Sequence, residues 1–301
     1  MDKHSLNNIK LINRDYIELS ARYLPAQNSD TIIMYCPGFG GGYGNIGEQL
    51  SDIAQKNGYG FLFGQFKDSY DKIETIKHLN NGEVQKEYIG ATNSRLYKSI
   101  VDFECFFDFL YNEGYKNIVA VGVCGSASKL TYYLQHNQRA NSMVSELIIL
   151  APQDFEEVRL SSAHVGLEQE AINNIKQGLP DKILSKKFLG YMDISSITYL
   201  DVSLNKIFNT LSYKTNLDKL KDLGLINARI LFVMGSLDHA IRNENEHTIS
   251  KYFNSLVRNC KDGEFHIIEG AKHLFKGKEQ ELTEIIEEFI NSRTKEINNV
   301  Y

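Results

Sequence analysis

The sequence predicts an α/β protein built on a doubly wound, mainly parallel sheet. Short apolar runs rich in β-branched residues recur at residues 31–36, 118–121 and 230–234, with the length and composition of strands buried on both faces. Segments of helical period lie between them, at residues 48–54, 95–113 and 245–258. Strands alternating with helices pair in parallel through right-handed crossovers. The alternation lapses once, over residues 152–227, and that stretch is read as a helical insertion after the sixth strand.

Taken in order, residues 8–24 alternate loosely through Ile9, Leu11, Tyr16, Leu19 and Tyr23, consistent with two short antiparallel strands at a sheet edge. The run from Thr31 to Cys36 is the first strongly buried strand, and Pro37-Gly38-Phe39-Gly40-Gly41-Gly42 follows at once. A helix is expected around residues 48–54 and a strand over 60–66. Residues 67–93 are polar and turn-rich, with no clear period. Ile100, Val101, Phe103, Phe106, Phe107 and Leu110, with Leu96, make the helical stripe of residues 95–113. Strands at 118–121 and 146–150 come next. After the insertion follow a strand at 230–234, a helix over 245–258, a strand at 264–268 and an amphipathic helix over 279–290. The tail from 295 to 301 is expected to fray. Residues 1–151 and 228–301 thus form one core, with 152–227 as a cap or lid. There is no internal repeat and no low-complexity linker.

Composition narrows the function classes. Apolar content of 42% and charged content of 24% in 301 residues are ordinary for a globular protein. A net charge of -5, with no basic run, argues against nucleic acid as a partner. The apolar runs are too short to span a bilayer, and residues 1–20 lack the apolar stretch of a signal peptide. Four cysteines, Cys36, Cys105, Cys124 and Cys260, are scattered without metal-type spacing, so a reduced, cytoplasmic setting is expected. There is no Walker A sequence, no HExxH and no CxxC, and neither a metal nor a cofactor is called for. Gly42-Tyr43-Gly44-Asn45-Ile46-Gly47 matches a dinucleotide fingerprint, but it starts six residues past the strand. The next strand also ends in Gly64-Gln65-Phe66, without a ribose-binding acid.

The chemistry is concentrated where the central strand runs into Gly122-Val123-Cys124-Gly125-Ser126 and then a helical segment. A buried strand, a turn that tolerates only small flanking residues and a helix make a nucleophile elbow, here occupied by Cys124. A thiolate is favoured at a helix N-terminus. The plainer alternative is an inert cysteine in a strand–helix turn. Ser126 is a second candidate nucleophile, but it would leave Gly122 without a role. An elbow nucleophile needs a base, an orienting acid and oxyanion donors. Asp238 stands just beyond the strand at 230–234 and His273 just beyond the strand at 264–268, in the order nucleophile, acid, histidine. Each taken alone is equally a turn or loop residue. His239 is a competing base, although adjacent residues seldom both reach one site. His4, His78, His136, His164, His247 and His266 have no such placement and are read as solvated or structural. Backbone N–H groups of Gly125 and Phe39 are the candidate oxyanion donors, since Gly38 and Gly40 let the chain turn inward there.

With these residues in place, the chain resembles the α/β-hydrolase superfamily over nearly its whole length. More narrowly it resembles hydrolases related to fungal esterases of fusarinine-type siderophores. The resemblance rests on Gly38-Phe39-Gly40, Gly90-Ala91-Thr92-Asn93-Ser94-Arg95-Leu96, Ile148-Ile149-Leu150-Ala151-Pro152-Gln153-Asp154 and Asp193-Ile194-Ser195-Ser196. Its closing stretch, Gly270-Ala271-x-His273-x-Phe275-x-Gly277-x-Glu279-x-Glu281-Leu282, is the most specific part. Two residues depart from the pattern: Cys124 stands where such proteins carry a serine, and Pro37 where many carry a histidine. The resemblance implies acyl transfer through Cys124, His273 and Asp238. A small ester or thioester is the implied substrate, with an acyl carrier protein as a further partner. Relatives with an elbow cysteine include hydrolases and proteins that resemble acyl shuttles, so esterase or thioesterase activity and acyltransferase activity both stay open. A third alternative, an inactive binding module that kept the fold, is disfavoured by the retained Asp238 and His273.

Overall fold

The computed structural model describes residues 6–161, 164–205 and 207–298. Its centre is an eight-stranded sheet in the order β1-β2-β4-β3-β7-β8-β9-β10. The strands are β1 (Asn7–Ile12), β2 (Glu18–Leu24), β3 (Thr31–Cys36), β4 (Gly60–Gly64), β7 (Asn117–Val123), β8 (Val144–Leu150), β9 (Arg229–Gly235) and β10 (Gly263–Ile268). β1 and β2 pair antiparallel, and β2 joins β4 antiparallel; every other neighbour pair in this sheet is parallel.

The central strands are apolar along their whole length because both sheet faces are covered. Ile33, Tyr35, Val119, Val121, Ile148, Leu150, Leu231 and Val233 face one core. Ile32, Met34, Ile118, Ala120, Leu147, Ile149, Ile230 and Phe232 face the other. The first core is closed by α1 (Gly44–Lys56), α9 (Glu279–Asn298) and residues from the segment between β8 and β9. The second is closed by α2 (Ile100–Asn112), α3 (Gly125–His136) and α8 (Glu246–Arg258). Burying each Leu, Ile or Val side chain stabilises by about 1.5–3 kcal/mol, so the alternating runs fix both register and layering.

Register decides where the chemistry can lie. Cys36 pairs with Gly122, Gly122 with Ile149, Leu150 with Val233, and Gly235 with Ile268. The loops that leave β3, β7, β8, β9 and β10 therefore start at one edge of the sheet. From β3 the chain turns outward to β4, and from β7 it proceeds the other way. The boundary between β3 and β7 is thus the switch point, where an open α/β sheet leaves a crevice.

The segment between β8 and β9 follows the sixth strand of this sheet in chain order. It holds α5 (Phe155–Leu160), α6 (Leu167–Lys176), α7 (Ser196–Leu204) and two 3-10 helices, Phe208–Leu211 and Leu217–Leu225. Three details differ from the sequence reading. β4 ends at Gly64, because Phe66 turns into a loop where its backbone N–H bonds Ser69 Oγ. The C-terminal helix α9 runs on to Asn298, through part of the expected fray; residues 299–301 lie outside the described residues. The stretch 67–93 carries a hairpin, β5 (Ile73–His78) and β6 (Val84–Ile89), paired antiparallel from Ile73↔Ile89 to His78↔Val84. Both hairpin faces carry polar residues, so no apolar period betrays it, although Asn81-Gly82 at its tip is a turn signal.

The elbow depends on Gly122. A Cβ there would lie 2.9 Å from Ala127 Cα on the crossing helix, a contact with backbone that no rotamer relieves. Gly122→Ala is expected to cost about 1–3 kcal/mol by overpacking, measurable as a lower midpoint in urea unfolding.

Candidate active site

Cys124 sits between β7 and α3 with φ 50° and ψ -117°, conformational space that a side chain adopts only when its surroundings force it. Three things impose it. Cys124 N–H is held by Leu150 O at 2.9 Å, its carbonyl accepts from Ala127 N at 3.1 Å, and Gly122 lets the helix close on the strand. The side chain therefore stands at the N-terminus of the 12-residue helix α3. Ser126 is placed otherwise: it is fully buried and its hydroxyl donates to the Pro37 carbonyl, so it is spent on structure.

Asp238 and His273 are brought together beside it. The turn after β9 is closed by Asp238 N–H to Gly235 O at 3.0 Å. The loop after β10 is stitched to that turn by Leu237 N–H to Ala271 O at 2.9 Å and by Gly270 N–H to Ser236 Oγ at 2.9 Å. Phe275, fully buried with φ 56°, anchors the far end of the loop. His273 Nδ1–H donates to Asp238 Oδ2 at 2.8 Å, while Asp238 Oδ1 accepts from Ala240 N at 2.9 Å. With Nδ1 so engaged, Nε2 is the ring nitrogen left for the nucleophile, and His273 lies close enough to Cys124 for the sulfur to favour its charge. Burial opposes the imidazolium charge, but the attraction of Cys124 and the bond to Asp238 outweigh it and raise His273 to about 10. Burial likewise opposes charge on Asp238, yet the His273 bond and the Ala240 N–H hold its carboxyl below the usual carboxylate range.

The loop after β3 lies against the elbow, since a Cβ at Gly38 would be 3.3 Å from Cys124 Cβ. It is held by Gly41 N–H to Gly38 O at 2.7 Å and Gly40 N–H to Asp68 O at 2.9 Å, and Gly40 takes φ +71°. Among the described residues, neither the Phe39 nor the Gly125 N–H donates to a backbone or side-chain acceptor, so both are free to meet an oxyanion. Gly42, Gly44 and Gly47, which suggested a dinucleotide fingerprint, instead start α1. Gly42 is packed against the Tyr70 ring and Gly47 against Tyr43.

A buried ion pair that the sequence reading missed supports this loop. Lys129 on α3 pairs with Asp68, their side chains 0% and 2% exposed, and Asp68 is the residue whose carbonyl holds Gly40. Lys129→Met leaves the Asp68 charge uncompensated and is expected to destabilise by about 3–5 kcal/mol, with partial recovery in a Lys129→Met, Asp68→Leu double variant. Chemical denaturation of the three proteins checks both parts. A lone lysine in a helical run gives no sequence sign that its partner lies 61 positions away.

Residues 183–195 lie over the crevice as a strap bridged at Ile183↔Ser195 and Phe188↔Met192. Phe188 meets the Phe39 ring edge-on at 6.3 Å, and a Cβ at Gly40 would stand 2.6 Å from Met192 Cε. The strap tip is pinned by His164, whose Nε2 accepts from Leu189 N at 3.3 Å and whose Nδ1 lies 2.8 Å from Val158 O. Cys124 beside it is 6% exposed.

One expectation is overturned. His239 does reach the same place as Asp238: its Nδ1 lies 3.4 Å from Asp238 Oδ1, and its ring centroid lies 4.5 Å from that of His273. The turn bends so that the carboxylate points back over its own backbone, which lets two successive residues share one site. Asp238, His239 and His273 bring donor atoms within 4.8 Å of one another. The two Asp238 oxygens and His273 Nδ1 are engaged in hydrogen bonds to one another and to Ala240 N. Among the described residues, no helix is long and apolar enough to cross a membrane.

No protein-family model matches the chain, and no curated protein matches by sequence. Solved structures do. The chain is similar to Est1E from Butyrivibrio proteoclasticus, bound to ferulic acid, at 14% identity with TM-score 0.67, covering 95% of this chain and 99% of that one. It is similar to the esterase Pf2001 of Pyrococcus furiosus at 14% identity with TM-score 0.58, covering 96% and 90%. It is similar also to mouse α/β hydrolase domain-containing protein 10 at 12% identity with TM-score 0.61, covering 95% and 99%.

Proposed function

We propose a function for the α/β-hydrolase fold that the chain's sheet order, register and neighbours show. On this reading it is an acyl-transfer enzyme of the hydrolase type, acting on a small ester or thioester through a covalent acyl-Cys124. The observation that carries this reading is the hydrogen bond from His273 to Asp238 beside a cysteine held in strained backbone at a helix N-terminus.

In the proposed cycle, the Cys124 sulfur attacks the acyl carbon, and the oxygen that becomes negative is met by the N–H groups of Phe39 and Gly125. Collapse breaks the bond to the leaving group, which takes the Nε2 proton of His273. Neutral His273 then draws a proton from water as it attacks the thioester, and Cys124 leaves as sulfur anion beside the recovered imidazolium. Asp238 keeps His273 in one tautomer throughout. Esterase or thioesterase activity is the reading offered, and an amine or carrier thiol in place of water would make an acyltransferase.

Residues 152–227 are proposed as the cap that selects the acyl group. The strap side chains Phe188 and Met192, seated on Phe39 and Gly40, favour a partly apolar one. Ferulic acid is bound by the similar Est1E, and the sequence resemblance adds siderophore-type esters to the candidates. Assaying a panel of aryl, alkyl and siderophore esters with matching thioesters tests the reading. Turnover of an ester or thioester by the unmodified protein supports it, and no turnover of any with no Cys124 adduct would overturn it.

A further inference from the structure

The Asp238 carboxylate faces two imidazoles. His239 Nε2 lies 2.8 Å from Gln153 Oε1, and an amide oxygen only accepts, so Nε2 carries the hydrogen. Nδ1 is left with its lone pair aimed into the site, 3.4 Å from Asp238 Oδ1. Gln153 is buried at the end of β8, which makes it a fixed post for the ring. The His239 side chain is 38% exposed, so it exchanges protons with water, whereas Asp238 is 0% exposed. Burial most of all, then His273 and Arg242, opposes charge on His239, while Asp238 favours it, and the net direction is downward. Behind the turn, Lys214 donates to the Ala240 carbonyl at 3.1 Å and pairs with Glu157 and Glu244.

We propose that His239 is a positioning residue that exchanges charge with His273 during the reaction, so that the buried Asp238 always has one imidazolium beside it. The inference rests on the acyl-transfer reading. At rest His273 is the charged ring, and burial together with its repulsion keeps His239 neutral. When the leaving group takes the His273 proton, that repulsion ends and Asp238 loses its counter-charge. His239 Nδ1 then takes one proton from water. When water attacks the acyl-enzyme, its proton passes to His273, and His239 returns its own to solvent. Over a full cycle the two imidazoles take up and return one proton, and the one net proton released is that of the free acid, which ionises near pH 7.

The prediction is read by mixing the whole protein with an N-acetylcysteamine acyl thioester near pH 7 in weak buffer with an indicator dye. The leaving alkylthiol keeps its proton at that pH, so acylation by itself changes nothing in solution. The expected result is uptake approaching one proton per Cys124 adduct counted by intact mass, released again as the adduct clears together with the proton of the free acid. His239→Gln, whose amide cannot take a proton, is expected to form the adduct with no uptake, and His239→Asn serves as a second variant. Adduct without uptake in the unmodified protein, or equal uptake in the folded variants, would overturn the exchange. No adduct in the unmodified protein would instead strike the acyl-transfer reading itself.

Discussion

Replacing Cys124 by Ala is expected to abolish acyl-enzyme formation and to cut turnover by at least a thousandfold, to the level that binding and the oxyanion donors alone support. The size follows from what the sulfur does in the proposed cycle, where it forms the covalent bond to the acyl group. The fold is expected to survive, because a methyl group occupies the same strained backbone without new bulk, and removing the sulfur from an elbow held at φ 50° leaves every backbone bond of the turn intact. Cys124→Ser is the sharper variant. A serine hydroxyl has no anionic form near neutrality, so His273 loses the partner that raises it. A large loss with unchanged thermal stability is expected, and stopped-flow acylation with circular dichroism checks both parts.

Asp238→Asn is expected to lower turnover on the order of 10²- to 10⁴-fold, because an amide nitrogen facing His273 Nδ1 favours the wrong tautomer and removes the charge opposite the imidazolium. The pH profile gives the sign independently. With His273 raised to about 10, the proton needed by the leaving group is present throughout the neutral range, so acylation stays flat there and falls as pH rises through about 10. In Asp238→Asn one support of that raised value is gone, and the alkaline fall is expected to begin at lower pH. Initial rates of acylation from pH 6 to 11 for both proteins test this.

Much of this was legible in the sequence because buried parallel strands must be apolar on both faces. Residues 31–36, 118–121 and 230–234 are legible for that reason, and with them the loops where Phe39, Cys124 and Asp238 stand. His273 was legible from its place after the last strand. What was hidden is what depends on side-chain direction. The hairpin Ile73–His78 with Val84–Ile89 is solvated on both faces and leaves no period. Lys129 and Asp68 are joined by burial alone, without a spacing rule. His239 was set aside because neighbours in a chain point apart. Its entry into the site depends on Gln153, 86 positions earlier, and on a carboxylate folded back over its own turn.

The most direct test of a covalent role for Cys124 is intact-protein mass spectrometry after mixing the protein with a panel of acyl thioesters and activated esters, with Cys124→Ala alongside. The proposed chemistry predicts a single acyl addition that is absent from the variant. It clears into free acid for a hydrolase, or only on adding an amine or carrier thiol for a transferase. No addition from any donor, or the same addition in Cys124→Ala, would contradict it and leave a binding module that kept the fold.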